Sequence, residues 1–179
     1  DLVDTANLDY ANINIQVGSQ LQASSGLITF QGNWNNQGGL FNANQGSWTW
    51  DNNGNRTYTS TEVDTFFNFN YNASNNQQLI MANDDSIYID NKLELSNGRL
   101  QNGNLLVHDT AYLFATYDDA TADLWFVGTK TSNFIIEAAQ GNFDVFITKD
   151  TPTDTVFYQP LTGNSLTIGE PDRDLTIQE

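Results

Sequence analysis

Apolar and polar side chains alternate with a period of two along most of this chain, and no other feature constrains its fold as strongly. The alternating runs are short, and turn-forming pairs such as Asn53-Gly54 and Asn97-Gly98 separate them. Because successive side chains of a strand point to opposite sides, this pattern predicts an all-β chain of short strands. The runs include Ile13, Ile15 and Val17; Trp48 and Trp50; Phe67, Phe69 and Tyr71; Leu93 and Leu95; and Phe143, Val145 and Ile147.

The order of these runs is also repeated over a longer distance. A shift of 76 positions places residues 48–73 on residues 124–149 without a gap. Trp48 then meets Leu124, and Phe69 meets Val145, so apolar positions coincide although identity is low. The pattern predicts about two and a half copies of a long repeat that contains several strand–turn units.

A long repeat of short strands favours a solenoid over a β-sandwich, because each coil buries its inner side chains against the next coil. We therefore expect a right-handed parallel β-solenoid that spans 1–179 as a single unit. At roughly 20–25 residues per coil, the chain makes about eight coils. Trp48 and Trp50 are expected to point into the coil, while Asn and Gly occupy the corners.

The charge of the chain narrows its range of partners. Six Lys and Arg stand against 22 Asp and Glu, which gives a net charge of −16. Nucleic acids and anionic membranes are disfavoured, because both need a basic surface. No apolar run approaches the ~18 residues of a membrane span.

Two interpretations of the acidic residues remain open: a solvated surface, or binding of a divalent cation. Carboxylates and amide oxygens are ligands that calcium prefers. The segments NDD and YDDATAD concentrate such oxygens in short turns, although neither has the spacing of an EF-hand or of a calcium-binding β-roll. The candidate metal ligands are Asp84, Asp85, Asp118, Asp119 and Asp123.

Three segments carry a resemblance to a known family: GNWNNQGGLFNANQGSWTWDNNG, TFFNFNYN and IYIDNKLELSNGRLQNGNLLV. They resemble the β-solenoid repeats of large surface proteins of Bacteroidetes, which include adhesin-like cargo of the type IX secretion system and gliding-motility adhesins. The chain departs from that pattern at Trp48 and Trp50, where Val or Leu is usual, and it contains no C-terminal sorting domain.

The resemblance implies a secreted or cell-surface protein of which these residues form an interior segment. The function that it implies is structural and adhesive, with many weak contacts to surface glycans. Self-assembly is a second hypothesis, because LTIQE at residues 175–179 reads as a strand still in progress, and open sheet edges attract other chains. In that case the partners are other copies of the chain, stacked into a filament.

A polysaccharide-active enzyme is a third hypothesis, since hydrolases of this kind need two carboxylates that face one groove. Asp90 is a further candidate for a catalytic carboxylate, in addition to the five aspartates named as candidate metal ligands. The only histidine, His108, is expected to face outward, and no nucleophile motif surrounds any serine. The sequence thus favours a non-enzymatic protein.

A carbohydrate-binding role without catalysis lies between these hypotheses. Trp34 stands alone among Asn and Gly residues, unlike the paired Trp48 and Trp50. An isolated aromatic ring in a polar segment is typical of an exposed platform on which a sugar stacks. Trp34 is therefore the candidate ligand-binding residue.

Overall fold

A computed structural model describes residues 5–8, 12–74, 77–114, 121–136, 144–150, 155–157, 165–168 and 175–177, with side chains for 12–74, 77–114, 121–135 and 144–150. These residues form short strands and no α-helix. The strands are β1 Thr5–Leu8, β2 Ile13–Ile15, β3 Gln20–Gln22, β4 Leu27–Phe30, β5 Trp34–Asn36, β6 Leu40–Asn42, β7 Ser47–Trp50, β8 Arg56–Ser60, β9 Asp64–Asn72, β10 Gln78–Met81, β11 Ser86–Asn97, β12 Arg99–Gln101, β13 Asn104–Val107, β14 Thr110–Leu113, β15 Asp123–Gly128, β16 Ser132–Ile136, β17 Asp144–Lys149, β18 Thr155–Phe157, β19 Ser165–Ile168 and β20 Leu175–Ile177.

The strands stack in parallel, turn upon turn, on three faces of a coil. Face one is formed by β2, β5, β8, β10 and β12. Face two contains β3 and β6, then the first part of β9 and of β11, and β13, β15, β17 and β19. Face three contains β1, β4 and β7, then the second part of β9 and of β11, and β14, β16, β18 and β20.

The predicted class, a parallel β-solenoid, is therefore confirmed. In the part of the chain that the structure describes, face three stacks nine strands, so the coil count differs slightly from the eight expected for all 179 residues. Turn length varies, because Lys92 pairs with Thr110, 18 residues later, while Asn68 pairs with Lys92, 24 residues later. Among the described residues, no helix has the length and apolar character needed to cross a membrane.

The long repeat predicted from the 76-residue shift is wrong as a structural unit. Trp48 and Phe69 lie on face three, whereas their counterparts Leu124 and Val145 lie on face two. The structural repeat is a single turn. The shift aligned apolar with apolar residues because most strands bury alternate side chains, so a shift that places strand on strand with inward positions matched preserves the pattern.

The inside of the coil is a column of apolar and aromatic side chains. Trp48 and Trp50 are 3% and 2% exposed, as expected from the alternation. Rings of neighbouring turns contact one another, for example Phe30 with Trp50 at 4.8 Å between centroids and Trp50 with Phe69 at 6.2 Å. Burial of such large rings, at roughly 25 cal/mol per Å² of apolar area, is the main source of stability.

The corners depend on residues that tolerate unusual backbone conformations or close contacts. Gly98 lies between β11 and β12 with φ of +89°, and a Cβ there would lie 2.8 Å from the Cβ of Ala73 and 2.9 Å from the carbonyl oxygen of Gln77. Gly18 also has positive φ, +76°, but a Cβ there would meet nothing within 4 Å. Comparison of the two glycines therefore separates the cost of positive φ from the cost of a steric clash when a side chain is added.

We expect Gly98→Ala to lower the free energy of unfolding by about 2 kcal/mol, since it adds a steric clash to the strain of positive φ. Gly18→Ala carries the strain alone and is expected to cost about 1 kcal/mol. Urea denaturation followed by tryptophan fluorescence measures both. Equal losses for the two variants would contradict the close packing of turns at Gly98.

Candidate functional site

Trp34 does not form the exposed platform that the sequence suggested. Its ring is 1% exposed and lies inside the coil, where it contacts Trp48 at 5.7 Å and Phe66 at 5.4 Å between centroids. Its indole Nε1–H donates to Asp64 Oδ2 at 2.7 Å. A ring buried to this extent has no free face for a sugar, so the expectation of exposure at Trp34 is wrong.

Asp84 and Asp85 share one turn between face one and face two but have different surroundings. Asp84 is exposed, whereas Asp85 is 9% exposed and accepts a hydrogen bond at Oδ2 from the backbone N–H of Ala82 at 3.3 Å. Burial raises the pKa of the Asp85 carboxyl above its usual range. Asp85 therefore closes its own turn.

Asp123 begins β15 on face two and stands next to Asp144 in the parallel register. Burial raises its pKa, and the neighbouring charge of Asp144 adds to this shift. Asp118 and Asp119 lie outside the described residues. Within the described ranges, no group of three or more His, Asp or Glu residues is placed to hold a metal ion. Calcium binding thus stays a prediction.

A cleft on the outside of the coil combines aromatic and polar groups. It has a volume of about 110 Å³ and crosses three successive turns where face two meets face three. Strands β6, β9 and β11 and the turn after β6 supply its lining. The lining residues are Phe41, Asn42, Ala43, Asn44, Thr65, Phe67 and Asp90.

The two rings of the cleft are brought there by the bend in the chain. Phe66 and Phe67 are adjacent in β9, and because alternate residues point to opposite sides, Phe66 is buried while Phe67 is partly exposed. The sequence had placed Phe67 inward with Phe69 and Tyr71, and this is wrong because the chain turns a corner between Phe66 and Phe69. Phe41 is partly buried. Its ring packs on the core and also lines the cleft.

The polar side of the cleft is held by hydrogen bonds within one turn and between successive turns. Asn42 Oδ1 accepts the backbone N–H of Asn44 at 2.8 Å, and Asn42 Nδ2 donates to Gln22 Oε1 at 3.0 Å. Asn44 has φ of +53°, a conformation that asparagine adopts more readily than most residues. These contacts fix the side-chain amide of Asn42 and the backbone of Asn44 at the mouth of the cleft.

Asp90 joins the cleft to a charged group on the next turns. Asp90 Oδ1 lies 2.8 Å from His108 Nδ1 and 4.0 Å from Lys130 Nζ, while Asp109 Oδ2 lies 3.8 Å from the same Nζ. The backbone N–H of Thr129 donates to His108 Nε2 at 3.1 Å. Both imidazole nitrogens are thus engaged, so His108 connects Asp90 to the turn above.

The cleft suits a ligand that has both C–H surfaces and hydroxyl groups. Rings provide apolar contact, and amide and carboxylate groups provide donors and acceptors. Its volume lies below the ~300–1,000 Å³ of most small-molecule sites, so it admits one small ring.

The sequence contained a partial signal for this site. The pair Phe66-Phe67 must place one ring outside a strand, and Asp90 had been named as an acidic candidate. No pattern in the sequence predicts the register between turns, so no sequence feature placed Phe41, Asn44 and Asp90 together.

Comparison with known proteins adds no relative: no protein family, no curated protein and no solved structure matches this chain. The chemistry of the outer surface is therefore the basis for an interpretation of function.

Proposed function

We propose that this chain is a non-enzymatic, adhesive segment of a secreted or cell-surface protein and that it contacts glycans through the cleft. The observation that carries the proposal is the combination, in one outer cleft, of the rings of Phe41 and Phe67 with the polar groups of Asn42, Asn44 and Asp90. A sugar ring presents C–H groups that suit the aromatic rings and hydroxyl groups that suit the amides and the carboxylate.

The size of the cleft argues for weak individual contacts. A site for one sugar ring loses much of its binding energy to the cost of association. Weak sites become effective when several act together, because the second contact is intramolecular. A solenoid suits this role, since it extends along one axis and displays its faces at fixed intervals.

The charge of the chain points to neutral glycans. A net charge of −16 repels polyanions such as uronic-acid polymers, and Asp90 lines the cleft itself. The carboxylate accepts hydrogen bonds from sugar hydroxyls without any compensating charge on the ligand.

We expect Phe67→Ala to weaken binding to neutral polysaccharides about tenfold, because it removes the more outward of the two rings. Immobilised mannan and dextran serve as neutral probes and alginate as the anionic probe in a surface-binding assay. Phe67 is partly exposed, so the fold is expected to survive, and thermal unfolding checks this.

Phe114→Ala is the matched control, since Phe114 is an outward ring, 37% exposed, that follows β14 on face three and stacks on Tyr112. It is expected to leave binding unchanged. Equal losses in both variants would mean that any exposed ring suffices. Release of shortened oligosaccharides from a probe would instead favour the polysaccharide-active alternative.

A further inference from the structure

We infer that His108 is a positioning residue that presents Asp90 to a ligand in the cleft and makes binding depend on pH. The inference rests on the proposed function of the cleft, but its geometric basis is independent of any ligand. His108 follows β13, and its backbone N–H donates to the carbonyl oxygen of Ile89 at 2.9 Å. The imidazole therefore lies on the turn directly after that of Asp90.

The protonation state of the imidazole follows from its two partners. A backbone N–H is only a donor, so His108 Nε2, which lies 3.1 Å from the nitrogen of Thr129, must be the unprotonated acceptor. The proton of the neutral ring is then on Nδ1, and it is donated to Asp90 Oδ1 at 2.8 Å. Contacts with two different turns thus select one tautomer.

This arrangement fixes the carboxylate that lines the cleft. Asp90 Oδ1 is occupied by His108, and among the described residues no hydrogen bond reaches Asp90 Oδ2. The free oxygen is the one that accepts a hydroxyl hydrogen of the ligand. A carboxylate already held in one orientation loses less conformational freedom on binding, which matters most in a weak site.

The ring has little freedom to change position. A Cβ on Gly128 would lie 2.3 Å from His108 Cδ2, so the imidazole packs directly against the glycine backbone. Tyr88 lies on another side, with ring centroids 6.2 Å apart. The glycine at position 128 is what leaves space for the ring.

Protonation of Nε2 would break this arrangement. The imidazolium is a donor at both nitrogens, so Nε2–H would face the N–H of Thr129. Because Gly128 blocks one direction, the ring shifts away from Thr129, and Asp90 shifts with it out of its position in the cleft, since the positive charge strengthens the hydrogen bond from Nδ1–H. The charged groups around the ring are Asp90, Asp109, Lys130, Asp150, whose backbone N–H donates to the carbonyl oxygen of Gly128, and, through the carbonyl oxygen of His108, the buried Lys149.

The first experiment needs no ligand. His108 is the only histidine, so its ring nitrogens are identified without ambiguity by long-range ¹H–¹⁵N correlation on the native protein. We expect the Nδ1–H tautomer at pH 7.5, and a shift of the Thr129 amide signal as the ring is protonated. The Nε2–H tautomer would overturn the inference, whatever the cleft binds.

The second experiment compares binding at pH 7.5 and 5.5. The probe is whichever of mannan and dextran binds the native protein better. We expect about fivefold weaker binding at the lower pH for the native protein, and no such change for His108→Ala, which is already weakened. Phe114→Ala should follow the native pH profile.

The two proposals fail in different ways. If neither polysaccharide binds the native protein while the Nδ1–H tautomer is found, the proposed function of the cleft is wrong, and so is the pH-dependent binding built on it. If binding is strong but His108→Ala keeps the native affinity and pH profile, the glycan proposal stands and the role of His108 is wrong.

Discussion

Replacement of Asp64 by alanine is expected to lower the free energy of unfolding by about 3–5 kcal/mol, because it leaves several buried donors without an acceptor. Asp64 is 3% exposed at the start of β9. Its carboxylate accepts hydrogen bonds from Trp34 Nε1 at 2.7 Å, Asn36 Nδ2 at 2.6 Å and Tyr58 OH at 2.9 Å.

The three donors come from face one, from two successive turns, so Asp64 ties these turns together. Burial raises the pKa of the Tyr58 hydroxyl, and the charge of Asp64 raises it further, so the phenol stays protonated and remains a donor. Asp64→Asn keeps one acceptor oxygen and is expected to cost less than Asp64→Ala. The measurement is urea denaturation followed by tryptophan fluorescence, with the m-value as a check on two-state unfolding.

Asp84→Ala provides the matched control, because it removes the same charge from an exposed position. We expect an effect within about 0.5 kcal/mol, as for most surface substitutions. A loss of less than 1 kcal/mol for Asp64→Ala would show that the carboxylate is not the common acceptor of these three donors.

The all-β class could be predicted from the alternation alone, whereas the choice of a solenoid over a sandwich rested on repetition along the chain, and the structural repeat proves to be one turn rather than 76 residues. The alternation that contains Trp48 and Trp50 predicts that both side chains point inward, and both are buried. Turn length could not be predicted with the same accuracy. Corners absorb extra residues, as between Ile89 and Lys92, where the register of β11 with β9 shifts by one residue, and no periodic pattern marks them.

The candidate site was harder to predict because it depends on which residues of different turns become neighbours. Trp34 was expected outside because it stands alone among polar residues, yet it is buried by contact with the turn that follows. The cleft brings Phe41 next to Thr65 and Asp90, residues that are far apart in sequence. A shift of one turn in register would place other residues there.

Inside this coil, the burial of a side chain is predicted better by the alternation of the strand than by the charge of the residue. Asp64 lies two positions before Phe66, and Lys149 lies two positions after Ile147, so alternation places both inward with their apolar neighbours. The usual preference of charged residues for solvent predicts the opposite. Periodicity prevails at both positions because other turns supply polar partners that satisfy the charged groups.

Lys149 is the second residue at which we expect a large effect: Lys149→Met should lower the free energy of unfolding by about 3–5 kcal/mol. Lys149 ends β17 and is 2% exposed. Its Nζ donates to the carbonyl oxygens of Lys130 at 2.9 Å and Val127 at 3.0 Å. It also contacts the carbonyl oxygen of His108 at 3.4 Å and the hydroxyl of Ser132.

Methionine keeps most of the length and apolar contact of the lysine stem but removes every donor. The oxygens around Nζ then lose a shared partner in a place that water does not reach, and each such loss costs about 1–3 kcal/mol before relaxation. These oxygens belong to the corner between β15 and β16 and to the end of β13. The variant is therefore expected to loosen this corner first, and faster amide hydrogen exchange between Val127 and Ser132 reports it.

Lys130→Met separates this effect from the loss of a positive charge. Lys130 belongs to the same corner, its side chain is 43% exposed, and its carboxylate partners Asp90 and Asp109 lie 4.0 and 3.8 Å away. An exposed pair of this kind contributes at most about 1 kcal/mol. A large loss at Lys149 with a small loss at Lys130 is the result expected if the ammonium group fills an internal cage of oxygens. Equal and small losses would place the Lys149 ammonium in solvent and contradict the inward direction of the end of β17.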